Sequence, residues 1–393
     1  MKSKQTSPLP ENGRITYTQG YVAENESPTL NIPHGYDGYN EPSRVWYHIE
    51  HIYKLKKGLY TPPVMVEVSP TSICNHRCVF CYTYQREETN MLSKKVLLDI
   101  FSNASDMGIE TIFIQGTGEP MVNKYLPDAI VAGGKTDIKM SLTTHGVLLD
   151  KQKQEKILEN LVFVKFSVVD NDPKKYALTH GCKEEEYHKL IDNIENATNF
   201  CSKNNLDTTL WATVYVDTDN FKNLYKICKF YKSLGLDFLS ISQAIITEFM
   251  PSEVKLATEV YSEEEIDEMM EKVVSLQDDK FKLHIQFPRE KQFPTTTRWK
   301  KDYCKAVHLV TSISGDGEVY SCWRFWGDKE HSYGNVYNNS FEEIWRGEKR
   351  KEVNKYLFST PPKGDECNVC HLVFANHNLD KLLNNQNKWT YIL

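Results

Sequence analysis

Between residue 64 and about residue 243, short β-branched or apolar runs alternate with longer segments of helical period. This alternation constrains the fold more than any other feature. The strand candidates are residues 64–68, 111–114, 138–142, 162–168, 208–215 and 238–241. Helical periodicity covers residues 94–107, 124–131, 151–159, 185–203 and 221–234. Strands separated by helices pair in parallel through right-handed crossovers. The expected class is α/β, as a six-stranded open barrel or a doubly wound sheet. Either architecture gathers function at the C-terminal ends of its strands.

The flanks read differently. Residues 1–60 are polar, aromatic and rich in Gly, Pro and Asn, which predicts an irregular extension with a short helix near 45–55. Residues 253–276 are helical and acidic, and 282–287 form a further strand candidate. Past Cys304, Gly315-Asp316-Gly317 lies between two apolar runs and signals a hairpin. A helix over about 340–356 follows, with Ser340 as its cap and Glu343 three residues on. The division this predicts is an extension at 1–62, a barrel at 63–290, a small cysteine-bearing module at 291–373 and a tail at 374–393. A chain of 393 residues is long enough for that large-plus-small arrangement.

The net charge is −6 and the lysines are scattered, which argues against a nucleic-acid partner. The Lys349-Arg350-Lys351 run reads as a solvated helix face. No run of eighteen apolar residues predicts a membrane span, and the first residues lack a hydrophobic signal core. A cytoplasmic protein is expected.

In that compartment ten cysteines mean metal rather than disulfides. Seven are grouped: Cys74, Cys78 and Cys81, then Cys304, Cys322, Cys367 and Cys370. The first group follows the first strand candidate. Three thiolates in one tight loop ligate three irons of a cubane and leave the fourth iron open to an exchangeable ligand. A structural zinc knot is the alternative, but zinc takes four ligands and His76 is the one local candidate.

The C-x3-C-x2-C spacing after a first strand, with Phe80 before the last cysteine, resembles the radical S-adenosylmethionine superfamily. Gln115-Gly116-Thr117-Gly118-Glu119-Pro120 is similar to that family's Gly-Gly-Glu-Pro motif, with Thr117 in place of the first glycine. The resemblance implies a partial (β/α)6 TIM-like barrel. It also implies reductive cleavage of S-adenosylmethionine to a 5′-deoxyadenosyl radical, with electrons from an external donor such as flavodoxin or ferredoxin. By the same resemblance Phe80 packs near the adenine, and Gly116, Thr117, Gly118 and Glu119 hold the methionyl part. Thr143, in a Thr-Thr-His-Gly turn, Ser167 at the fourth strand end and Gln243 at the sixth are further candidates to contact the cofactor. Any of these strand-end residues could equally satisfy backbone groups.

The later cysteines, with Gly317-x4-Cys322, Gly334-Asn335 and Ile344-Trp345, resemble the opening of a SPASM domain. No cysteine follows Cys370. The resemblance is therefore to the shortened α+β twitch form, similar to the aminocyclitol dehydrogenase of butirosin biosynthesis. It implies a second, closed [4Fe–4S] cluster on Cys304, Cys322, Cys367 and Cys370; zinc on the same four is the alternative. Cys182 stands alone in the loop after the fourth strand, as a candidate hydrogen-atom donor or a buried small residue. The expected activity is hydrogen abstraction from a small polar substrate (a sugar, nucleotide-sugar or aminocyclitol), ending in oxidation or epimerisation. The alternatives are a peptide-modifying enzyme of the same superfamily and a non-catalytic iron–sulfur or zinc scaffold.

Overall fold

The computed structural model describes residues 42–81, 89–243, 257–286, 304–359 and 372–384. A 3-10 turn at Pro42–His48 leads into α1 (Ile49–Lys56) and then β1 (Met65–Val68). The repeating unit continues with α2 (Lys94–Asn103), β2 (Thr111–Ile114), α3 (Leu126–Gly133), β3 (Lys139–Thr144), α4 (Lys151–Ile157) and β4 (Phe163–Val168). Next come α5 (Pro173–His180), α6 (Glu184–Asn204), β5 (Thr209–Val216), α7 (Leu224–Ser233), β6 (Phe238–Gln243), α8 (Glu263–Val274) and β7 (Lys282–Gln286). The C-terminal part adds β8 (Val310–Ile313), β9 (Glu318–Tyr320), β10 (Ser332–Asn335), α9 (Phe341–Arg346), α10 (Glu348–Ser359) and α11 (Val373–Asn384).

The ten strands among the described residues join one sheet, ordered β10-β9-β8-β1-β2-β3-β4-β5-β6-β7. From β8 through β7 every neighbouring pair is parallel. The fold is therefore the expected parallel α/β arrangement of a partial TIM-like barrel, with a seventh strand where residues 282–287 suggested one.

The structure adds one feature to the sequence reading and changes another. The hairpin β8–β9 joins the barrel sheet, because β8 pairs in parallel with β1, Met65 opposite Val310 and Val68 opposite Ile313. The C-terminal module thus extends the barrel sheet at its first edge. Such pairing joins segments far apart in the chain, and no local pattern records it. The single helix expected over 340–356 is two helices broken at Gly347, whose backbone is extended (φ −66°, ψ 156°). Glycine is a poor helix former, which explains the break. The capping box of Ser340 and Glu343 is present.

The helices pack on one face of the sheet. On β4, Val164, Phe166 and Val168 enter the helix-side core with Leu190, Ile194 and Ile227. Alternation then turns Phe163, Lys165 and Ser167 to the opposite face, the barrel lumen. At the seam with the C-terminal module, fully buried Trp345 on α9 donates from Nε1 to the carbonyl of Thr61 at 2.8 Å.

Candidate active site

Glycines set how closely the loops above β1 and β2 approach each other. The segment after β2 folds onto the stretch leading to Cys74: Glu119 N–H donates to the carbonyl of Ile73 at 3.0 Å, and Thr117 N–H to Ser69 Oγ at 3.3 Å. A Cβ on Gly118 would lie 2.3 Å from the Ile73 carbonyl oxygen, and one on Gly116 2.1 Å from Ser69 Oγ. No larger residue fits without parting the loops.

Cys74, Cys78 and Cys81 form no disulfide and are half-buried, with a tight turn closed by Cys81 N–H to the Cys78 carbonyl at 3.1 Å. Burial pushes the Cys74 thiol up to about 11, and it raises Cys78 further, with Cys81, Cys74 and Cys182 adding to the effect. Iron takes the thiolate and removes that penalty, so the donor set fits a cluster better than three bare thiols.

The cysteine loop is docked on the α5–α6 turn. Arg77 N–H and Val79 N–H donate to the carbonyls of His180 and Thr179, both at 2.9 Å. Gly181 is left-handed (φ +57°), and a Cβ there would meet the Arg77 carbonyl oxygen at 2.4 Å. Inside the dock, His76 stacks on His145 at 4.0 Å, and His145 Nε2 and Asn75 Oδ1 are 2.8 Å apart. His76 Nε2 lies 2.5 Å from Glu186 Oε2 on the first turn of α6. Burial lowers His76 against the opposing pull of Glu186, and it drives His145 and His180 down to about 3, so the last two imidazoles are neutral.

Groups that orient a metal-bearing loop usually cost 10–100-fold in metal affinity when removed. Glu186→Ala is therefore expected to speed iron loss to a chelator about 10-fold. Glu186→Gln, which keeps an acceptor, should recover most of the retention.

Glu119 is buried, and its carboxylate accepts from Met121 N–H (3.0 Å), Thr144 Oγ1 (2.6 Å) and His145 N–H (2.9 Å). Burial raises its pKa while these bonds oppose the rise. Glu119 therefore ties the β3 turn to the cysteine loop, a role its motif did not suggest. Phe80 lies 4.9 Å from the ring of Tyr215 on β5 and edge-on to His180 at 5.5 Å. Tyr215 is pushed up to about 12 by burial, then by Cys81 and Cys78, which places its ring beside the cysteine loop.

Thr143 and Ser167 stand on the lumen faces of β3 and β4. Gln243 ends β6 opposite Val216, and its side chain lies outside the described residues. Cys182 is packed against the helix-side core, its sulfur within 4.8 Å of ligand atoms of His76 and Glu186. Burial, then Glu186, pushes its thiol up to about 12, so it stays protonated.

Of the second cysteine group, Cys367 and Cys370 lie outside the described residues. Burial raises the Tyr333 phenol against the Arg350 guanidinium, and Cys304 and Cys322 add to the rise. Asn376 Nδ2 donates to Cys304 Sγ at 3.3 Å, and its Oδ1 accepts from Ala306 N–H at 2.8 Å. An amide donor on a cysteine sulfur suits a thiolate ligand.

Below the loops the lumen has an aromatic floor. Phe113, Phe163, Trp211 and Phe238 follow one another with ring centroids 6.0, 5.5 and 5.0 Å apart. Polar groups surround it. Glu67 on β1 is buried, accepts from Gln115 Nε2 at 3.1 Å, and is raised to about 8 by burial. Trp211 Nε1 donates to Ser240 Oγ at 2.9 Å.

The family model for the radical SAM superfamily matches residues 68–210, and that for an iron–sulfur cluster-binding (SPASM) domain matches residues 304–371. The tungsten-containing aldehyde ferredoxin oxidoreductase cofactor-modifying protein of Pyrococcus furiosus is 23% identical over 328 residues, covering 76% of this chain and 85% of that protein. The GTP 3′,8-cyclase of Aquifex aeolicus is 22% identical over 311 residues, covering 74% and 91%. Streptococcus suis SuiB bound to S-adenosylmethionine superposes with a TM-score of 0.60 at 18% identity, over 88% of this chain and 78% of that one. The matched segments take in all three loop cysteines, the Gly-Thr-Gly-Glu-Pro turn and the second cysteine group. This chain belongs to the radical S-adenosylmethionine superfamily, and a SPASM iron–sulfur domain follows its barrel.

Proposed function

We propose that the enzyme removes a hydrogen atom from a small polar substrate held in the barrel lumen, such as a sugar, nucleotide-sugar or aminocyclitol, and that it oxidises that substrate. The observation that carries this reading is the polar wall above the aromatic floor. Ser312 Oγ, Thr143 Oγ1 and Thr213 Oγ1 are buried without a hydrogen-bond partner, and buried Glu67 stands opposite Ser312 on the neighbouring strand. Buried hydroxyls with unfilled bonding capacity carry a desolvation cost that a ligand rich in hydroxyls or amines offsets.

With its cluster and S-adenosylmethionine bound, an enzyme of this superfamily abstracts hydrogen from unactivated carbon. The chain's own contribution is placement. Cys74, Cys78 and Cys81 would hold the open cluster, and Gly116 and Gly118 let backbone approach the cofactor. Phe80 and Tyr215 supply an aromatic wall for the adenine, while the β-strand side chains orient the substrate beneath. Oxidation is favoured over epimerisation because Cys182 packs into the helix-side core beside His76 and Glu186 rather than among the lumen groups. Cys304 and Cys322, with Cys367 and Cys370, would hold the auxiliary cluster that accepts the electron.

SuiB has been crystallised with its precursor peptide SuiA. At 18% identity that likeness extends to the fold, and the substrate class here rests on the lumen. The test compares 5′-deoxyadenosine formation with deuterated sugars, nucleotide-sugars and aminocyclitols against deuterated peptides. Deuterium reaching 5′-deoxyadenosine from a member of the first group, with a ketone as product, is expected. Transfer from peptides alone would overturn the reading.

A further inference from the structure

We propose that Asn376 is a positioning residue for the auxiliary cluster: its side-chain amide donates to the Cys304 sulfur and raises that cluster's reduction potential. This rests on the reading above in which Cys304 ligates the cluster, and it adds how the chain favours the electron's destination.

Asn376 lies near the start of α11, 72 residues after Cys304, and is 2% exposed. Its Nδ2 is 3.3 Å from Cys304 Sγ, and its Oδ1 accepts from Ala306 N–H at 2.8 Å. The second bond fixes the first. A backbone N–H needs an acceptor, so the amide oxygen faces Ala306 and the NH2 group faces the sulfur. One planar group thus holds the segment carrying Cys304 at two points. The helix that bears it is anchored elsewhere. Leu379 is fully buried with Val45, Ile52, Val64 and Leu309, and Lys56 Nζ on α1 donates to the carbonyl of Leu382 at 3.3 Å. The donor is therefore placed by the packing of α11 on α1, independently of the cysteine segment.

Hydrogen bonds to cluster sulfurs are among the features that set a cluster's potential. A ligating sulfur becomes more negative when its cluster takes up an electron, so a donor to it stabilises the reduced state more than the oxidised one. Burial keeps water from competing and strengthens the bond. In the oxidation proposed above, the substrate radical loses one electron and one hydroxyl proton in becoming a ketone. The proton goes to solvent and the electron to the oxidised cluster, and a higher potential favours that transfer. A zinc ion on the same cysteines would gain nothing from such tuning, because zinc has no redox change.

The experiment is a redox titration of the reconstituted full-length enzyme, followed by electron paramagnetic resonance. S-adenosylmethionine is present throughout, so that the signal of the open cluster, which binds it, is set apart. Asn376→Leu keeps the volume and removes the donor. It should make the auxiliary cluster about 10-fold harder to reduce, a fall of about 59 mV for one electron, with iron content and the open cluster's potential unchanged. In the parent enzyme, asparagine labelled with heavy nitrogen should add a nitrogen coupling to the auxiliary signal. That reading stands even if the variant fails to fold. An unmoved potential in Asn376→Leu, or no nitrogen coupling in the parent, would overturn the donor role alone. Parental iron content in Cys304→Ala would overturn Cys304 as a ligand, and this inference with it.

Discussion

Cys78→Ala is expected to abolish reductive cleavage of S-adenosylmethionine and to lower iron content by about four per chain, leaving the barrel folded. The thiol lies in a loop after β1, outside the regular strands and helices, and its side chain is not part of the helix-side core. What its removal costs is cluster occupancy. Three cysteines are the minimum for a cubane with one open iron, so two should not retain it. Iron analysis and 5′-deoxyadenosine yield read the effect, and circular dichroism should stay within error of the parent. Iron retained at the parental level would show that the loop does not carry the cluster.

Gly118→Ala should have the next largest effect, although it adds one carbon. That carbon would meet the Ile73 carbonyl oxygen at 2.3 Å and the Ser72 and Ile73 carbonyl carbons at 2.6 and 2.7 Å. All three are backbone atoms, so relief requires the loops above β1 and β2 to part. The bond from Glu119 N–H to the Ile73 carbonyl would go with them. Overpacking of this kind costs about 1–3 kcal/mol. Because the displaced segment leads directly to Cys74, cofactor affinity should fall about 10-fold or more, corresponding to about 1.4 kcal/mol. Gly58→Ala provides the contrast. It places alanine at a positive φ, +67°, which Gly118 does not have, and nothing lies within 4 Å of the added carbon. It should cost some stability and leave S-adenosylmethionine binding intact. Equal loss of binding in both variants would show that loop closure is not what Gly118 secures.

The features legible in the chain are those that local physics writes locally. Three thiols in one loop, alternation of strand and helix, the Gly-Asp-Gly turn and the Ser340 capping box each follow from residues within a few positions of one another. The pairing of β8 with β1 and the dock of His76 on Glu186, 110 residues away, depend on the closed fold. So does the donation from Asn376 to Cys304 across 72 residues. Lys165 sits between these cases. A lysine inside the run Phe163-Val164-Lys165-Phe166 is out of place in a parallel strand, where both faces are buried. That anomaly was visible, but which face of the strand lines the lumen was not. The bonds of the Glu119 carboxylate to Thr144 and His145, 25 and 26 residues on, likewise depend on the closed fold.

The central claim is an open cluster on Cys74, Cys78 and Cys81, served by a second cluster in the C-terminal module. Anaerobic reconstitution with iron and sulfide, followed by iron analysis and incubation with S-adenosylmethionine and a strong reductant, tests it most directly. The account predicts about eight irons per chain and formation of methionine and 5′-deoxyadenosine. About four irons or none, zinc in their place, or no cleavage of S-adenosylmethionine would contradict it.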